Sequence, residues 1–283
     1  MDKRYAALLE VCLVSLILVS AAWLQEVYLS GVLLGFSFKT LTMLTTLLAI
    51  ILPGRSLRAY GFLPRSPRFT LKWSSVFTAV FTIPATASIA VSMALGTAKP
   101  AELSPLGIAL NVVFFMVFVG FVEEAYFRGY VQSRLNGVFE KRWHRLVFKA
   151  WRVDYGASLL LASVFFALIH IVNYWNPVAS RWTPTWWMPL HILGCFAFGC
   201  LAGAVREASD VYVSASLHGG LMTSYTFLSI YTSELVLNTS LFTSWFIFFY
   251  LLAIFLRESE SLKLEAKSCE REQLQGIHMV NLE

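Results

Sequence analysis

Three ionisable residues, Glu123, Glu124 and Arg128, fall close together in the apolar stretch FVGFVEEAYFRGYV, residues 118–131. At bilayer depth a charged side chain costs at least ~2.5 to 3.5 kcal/mol, so such a grouping demands a reason. In α-helical geometry Glu124 and Arg128 are four apart with the glutamate N-terminal, so they share a face and can pair, while Glu123 points about 100° away. The spacing predicts one neutralised glutamate and one spare. A spare carboxylate in apolar surroundings suits a general base working near neutral pH, and a packing network of all three residues is the alternative. Two histidines add to the set: His170 in SVFFALIH, and His218 in VSASLHGGLM beside Gly219 and Gly220, which permit close backbone approach. A lone histidine in an apolar run usually packs; two with a spare glutamate compose a candidate site.

The elements that must position these residues follow from composition. Hydrophobic residues make up 57% of the 283 and charged residues 14%, more apolar surface than a soluble core of this length hides. An all-α, polytopic transmembrane helical bundle is expected, with no sizeable soluble domain. About eight spans are predicted, at roughly 5–24, 31–52, 73–95, 106–131, 156–175, 186–205, 211–231 and 236–256. The first follows Asp2, Lys3 and Arg4 and lacks a small-residue cleavage site, so it reads as a retained helix rather than a signal peptide. Lys39 interrupts the second and must snorkel or face a cavity.

Basic residues set the expected orientation. The loop after the second span holds Arg55, Arg58, Arg65, Arg68 and Lys72, and residues 132–155 hold Arg134, Lys141, Arg142, Arg145, Lys149 and Arg152. The alternate loops hold only Lys99 and Arg181, so both termini are expected in the cytoplasm. The formal charge of +5 then reflects topology and contact with anionic lipid headgroups, and no nucleic-acid partner is expected. Tryptophans gather near the ends of apolar runs, where headgroups favour them. Cys12, Cys195, Cys200 and Cys269 show no metal or disulfide spacing. Counted from the cytoplasmic ends, Glu123 and His218 come out roughly 10 to 12 Å deep but His170 near 20 Å. His144 lies in a basic loop and His278 in the tail, and His191 is expected near the outer end of the sixth span, too far to join the site.

The motifs also carry a family likeness. EEAYFR, Glu123–Arg128, matches an EExxxR motif, and FALIH, Phe166–His170, matches an FxxxH motif of the CPBP family of intramembrane proteases, which includes CAAX prenyl endopeptidases and bacterial Abi proteins. The chain resembles that family over roughly residues 106–225. A third motif there is a histidine followed four residues later by Asn or a similar polar residue; HGGLM supplies His218 but places Met222 at the second position. The resemblance implies a protease core at 106–256, preceded by N-terminal transmembrane helices at 1–105 and followed by a cytoplasmic tail at 257–283. It implies Glu123 as the base that activates water, His170 orienting or deprotonating that water, and His218 stabilising the oxyanion. Glu124 with Arg128 would be a supporting ion pair, and Phe166 a packing residue beside His170. Because Met222 cannot donate a hydrogen bond, the missing donor would come from Thr223, Ser224 or Asn173.

Several expectations hang on this likeness. The reaction would be hydrolysis of a peptide bond in a membrane-anchored or C-terminally tagged protein, in a bacterial inner membrane among its lipids. No cofactor is expected; zinc held by Glu123, His170 and His218 is the alternative. Two other classes compete: a proton-coupled transporter, since intramembrane Glu and His also serve relays, and a catalytically impaired scaffold, suggested by Met222.

Overall fold

Asp2 accepts a hydrogen bond from the Arg4 N–H at 2.9 Å and thereby opens α1, Lys3–Tyr28, the first of a series of helices whose starts are written in polar residues. The computed structural model describes residues 2–29, 31–100, 103–146, 148–149 and 151–280; side chains of 32, 267 and 269–280, and so of Cys269 and His278, lie outside the description. After α1 comes α2, Gly31–Ile51, then α3, Pro67–Ala94, with Ser66 before a proline at the first helical position. Helix α4 runs over Pro105–Asn136, with Ser104 accepting from the Gly107 N–H. A hairpin of β1, Lys141–Arg145, and antiparallel β2, Arg152–Gly156, leads into α5, Ala157–Ile169, which ends in a 3₁₀ turn at His170–Asn173. A second small hairpin, β3, Trp175–Asn176, with β4, Arg181–Trp182, precedes α6, Met188–Ala208. Asp210 then caps α7, Val211–Tyr231, by accepting from the Tyr212 and Val213 N–H groups, and α8 spans Glu234–Val280.

All eight expected spans coincide with a helix, and the all-α polytopic architecture holds. Among the described residues, six helices are long and apolar enough to cross a membrane: α1, Leu33–Ile51 of α2, α3, α4, α6 and Glu234–Ala266 of α8. The other two depart for visible reasons. Ala157–Asn173 is a shorter apolar helix, because its α-helical part gives way to a 3₁₀ turn at His170 and the β3–β4 hairpin follows from Trp175. The apolarity of α7 is diluted by Ser214, Ser216, His218, Gly219, Gly220, Thr223 and Ser224, which are there to pack and to contact partners. The expected boundary at 256 has no structural counterpart, since α8 continues without interruption to Val280.

Helix α4 also departs from the expected geometry. It is π-helical over Phe114–Phe121 and Ala125–Gln132, with an α-helical link at Val122–Glu124 between them. A π turn bonds i to i+5 and is wider than an α turn, so successive residues rotate by less than the 100° assumed from α geometry. The face argument for Glu123, Glu124 and Arg128 therefore needs the actual contacts.

Two buried clusters frame the bundle. One joins α3, α6, α7 and α8 through residues such as Trp73, Phe77, Leu217, Phe248 and Phe255. The other joins α1, α2, α4 and α5 through Leu18, Ile50, Tyr126, Tyr130 and Phe166. Helix α7 lies against both α3 and the first π segment of α4, which brings the His218 element to the glutamate element.

Candidate active site

The close approach of α4 and α7 is set by glycines. A Cβ at Gly120 would lie 2.6 Å from the Gly219 Cα, 2.8 Å from the Gly219 nitrogen and 2.9 Å from the Ala215 oxygen, all of them backbone atoms that cannot swing aside. Gly219 in turn faces the Met116 Cα at 3.0 Å from its own would-be Cβ. Gly120 is three residues before Glu123 and Gly219 directly follows His218, so the same contact that joins the helices registers the two side chains. Gly120→Ala is expected to cost about 1–3 kcal/mol as an overpacked interface. Thermal unfolding of the detergent-solubilised protein measures this, and an unchanged midpoint would show that the helices are free to separate.

Around this contact, α1, α2, α4, α5, α6 and α7 enclose a cavity of about 950 Å³. Glu123, His170 and His218 all line it. His170 reaches this cavity from the 3₁₀ turn that ends α5. His170 Nδ1 donates to the Phe166 carbonyl at 2.7 Å, which leaves Nε2 as the acceptor of a neutral ring. His218 Nδ1 donates to Glu124 Oε1 at 3.1 Å, and its Nε2 is 4.0 Å from Glu123 Oε2, a separation that one water can bridge.

Glu124 and Arg128 are both fully buried, with Arg128 Nε 3.2 Å from Glu124 Oε2. This is a charge contact rather than an aligned hydrogen bond, and the two Nη atoms of Arg128 meet no protein acceptor among the described residues. The Phe166 ring instead covers the guanidinium, 5.0 Å from ring centroid to carbon, as a cation–π contact. Phe166 packs at once on His170, at 4.7 Å between centroids, and on His218, at 5.8 Å.

Three expectations are corrected here. Glu123 is not spare: Lys39 of α2 points into the cavity and its Nζ binds Glu123 Oε1. The lone lysine in an apolar span was the available signal, but nothing local says which of the acids it meets. His191 is not remote from the site: it lines the cavity, its ring lies 5.5 Å from that of His170, and its Nδ1 is 2.9 Å from the Tyr174 hydroxyl. Placing it by distance along α6 missed this because α5 ends early and brings His170 towards it. Of the three candidate stand-in donors near Met222, Thr223 and Ser224 are buried off the cavity with unpartnered hydroxyls, and only Asn173 lines it, as Met222 itself does.

Helix α1 and the β3–β4 hairpin contribute Trp23, Glu26 and Arg181 to the cavity wall. Arg181 donates to both oxygens of Glu26, at 2.6 and 2.9 Å, and to the Val172 and Asn173 carbonyls, so it also ties down the turn that carries His170. The bond to Glu26 holds the Arg181 guanidinium above its ordinary pKa. His144, by contrast, pairs with Asp154 at 2.7 Å on the exposed hairpin, far along the chain from these elements, and that bond holds the Asp154 carboxyl below its usual range. Among the described residues no three His, Cys, Asp or Glu side chains are grouped as a metal ion requires. The Nδ1 bonds of His170 and His218 leave each Nε2 free, an orientation that metal ligation by histidine also uses, so the choice between activated water alone and zinc rests on a chelation experiment.

Residues 105–224 match a family model described as type II CAAX prenyl endopeptidase, Rce1-like. The matched segment contains α4 through most of α7, and thus Glu123, His170 and His218, but not Lys39. No curated protein matches the chain.

Proposed function

We propose that this integral membrane protein is a glutamate-type intramembrane endopeptidase, a reading supported by the match of residues 105–224 to the Rce1-like CAAX endopeptidase model. The observation that carries the reading is the convergence of Glu123, His170 and His218, from three helices, on one cavity. Glu123 is the general base: its Oε2 takes the proton of a water held between it and the imidazoles, that water attacks the scissile carbonyl, and when the tetrahedral intermediate collapses the C–N bond breaks and the proton on Glu123 passes to the leaving amine. His170, with Nε2 free to accept, orients the same water. His218 is fixed through Nδ1 by Glu124, and with a proton on Nε2 as well its ring donates that N–H to the developing oxyanion. Glu124 and Arg128 serve the site by neutralising each other and holding the His218 ring in place.

Substrate and setting follow from the same reading. The cavity wall is largely apolar, with Phe38, Phe114, Phe198, Leu221 and Trp245, which suits a lipidated or membrane-embedded segment next to the scissile bond. The basic loops at 53–66 and 137–156 would lie in the cytoplasm with both termini, in a bacterial inner membrane. The water is activated without a metal, so cleavage is expected to persist after exhaustive chelation; activity that disappears and returns with zinc would replace this mechanism. The direct test compares the C-termini of membrane proteins in cells carrying the wild-type chain or Glu123→Gln. Termini that change with Glu123 support the endopeptidase, and an unchanged set overturns it in favour of a scaffold built on this fold.

A further inference from the structure

The lysine that binds Glu123 comes from outside the segment matched to the family, and nothing in the motifs assigns it. Its placement is built by packing. Gly35, one turn earlier on α2, lies so close to α4 that a Cβ there would meet the Phe114 ring at 2.9 Å. Phe36 adds edge and tilted contacts to Phe118 and Phe114, with centroids 4.6 and 5.1 Å apart. These contacts dock α2 on the first π segment of α4 and set Lys39 against Glu123, with side chains only 15% and 13% exposed. A lysine in an apolar span is costly, and here the expense goes to a single contact with the carboxylate that faces the cavity.

We propose that Lys39 is a positioning residue for the base, completing the site from α2: by holding Glu123 Oε1 it presents Oε2 to the water. The inference rests on Glu123 being the base. The two oxygens of Glu123 have different neighbours, Lys39 at Oε1 and His218 Nε2 at 4.0 Å from Oε2, so one oxygen anchors while the other works. Glu124 has its own neighbours in Arg128 and His218. Without Lys39, Glu123 would be a nearly buried carboxylate free to turn away and with no cation of its own. Lys39 acts through Glu123 and stands where the carboxylate, not the scissile bond, is held.

The test starts from a peptide that spans a terminus responding to Glu123→Gln, assayed with the wild type, Lys39→Met, Lys39→Gln and Lys39→Arg in proteoliposomes. Lys39→Met and Lys39→Gln are expected to lower kcat by about 100-fold with KM changed less than about threefold, the effect of a misplaced catalytic group. Lys39→Arg keeps the charge and is expected to be at least about tenfold faster than Lys39→Met, less than complete because the guanidinium is planar and larger. A thermal unfolding midpoint accompanies each variant, and either neutral variant that folds suffices. Wild-type kcat in a folded neutral variant overturns the inference while leaving the endopeptidase standing. So does a loss confined to KM or to stability, or an equal loss in Lys39→Arg. If Glu123→Gln changes no terminus at all, the endopeptidase reading fails and this inference falls with it.

Discussion

Glu123→Gln is expected to slow peptide-bond cleavage by between about 100- and 10,000-fold, the range a positioned general base contributes. Glutamine keeps the shape and the polar contacts of the side chain but cannot accept a proton from water at either terminal atom as a carboxylate does. The cavity, with His170, His218 and Phe166 around it, is left in place, so substrate binding and KM should move little. The change also strips Lys39 of its only carboxylate partner among the described residues, so the unfolding midpoint must be followed alongside the rate. Glu123→Asp separates the two effects. It retains the charge for Lys39 but withdraws it by one methylene, and a misplacement of about 1 Å already costs on the order of 100-fold. Full activity in a folded Glu123→Gln protein would remove the glutamate mechanism altogether.

Arg128→Met should have the largest effect on stability, about 3–5 kcal/mol, because it breaks a buried ion pair and leaves its partner uncompensated. Both side chains are fully buried, and Glu124 also holds His218 Nδ1, so the loss reaches the site through the imidazole as well as through the fold. Methionine replaces the aliphatic stem of the arginine with a flexible apolar chain but does not reach as far as the guanidinium. Arg128→Met combined with Glu124→Gln is therefore expected to be less destabilised than the two single changes added together, since no carboxylate remains to be compensated. Denaturant or thermal unfolding of the four proteins closes the cycle. Strict additivity would mean that the 3.2 Å contact carries no coupling and that Arg128 contributes by packing alone.

How far the sequence speaks differs from residue to residue. The i, i+4 spacing of Glu124 and Arg128 already brings the pair together, because that contact is made within one helix. Phe166 and His170 are likewise four apart on α5, and their ring contact and the Nδ1 bond to the Phe166 carbonyl are local consequences of that spacing. The N-caps Asp2, Ser104 and Asp210 mark helix starts for the same reason: donor and acceptor are two or three residues apart. The π turns of α4 were not legible, since an apolar run rich in phenylalanine fits an α-helix equally well by period and composition.

By itself, then, the sequence determined that this chain is an apolar helical bundle and which acids and histidines stand in apolar runs, all of them properties of neighbouring residues or of composition. Only the tertiary structure decided how those groups meet. Lys39 and Glu123 are 84 residues apart, and their pairing depends on Gly35 letting α2 approach Phe114. His191 joins His170 because α5 is short, and His218 meets the glutamates because Gly120 and Gly219 let two backbones touch. Periodicity gives the direction of a side chain from its own helix axis; the distance to another helix is set by the side chains that are missing between them, and that is a property of the packed bundle.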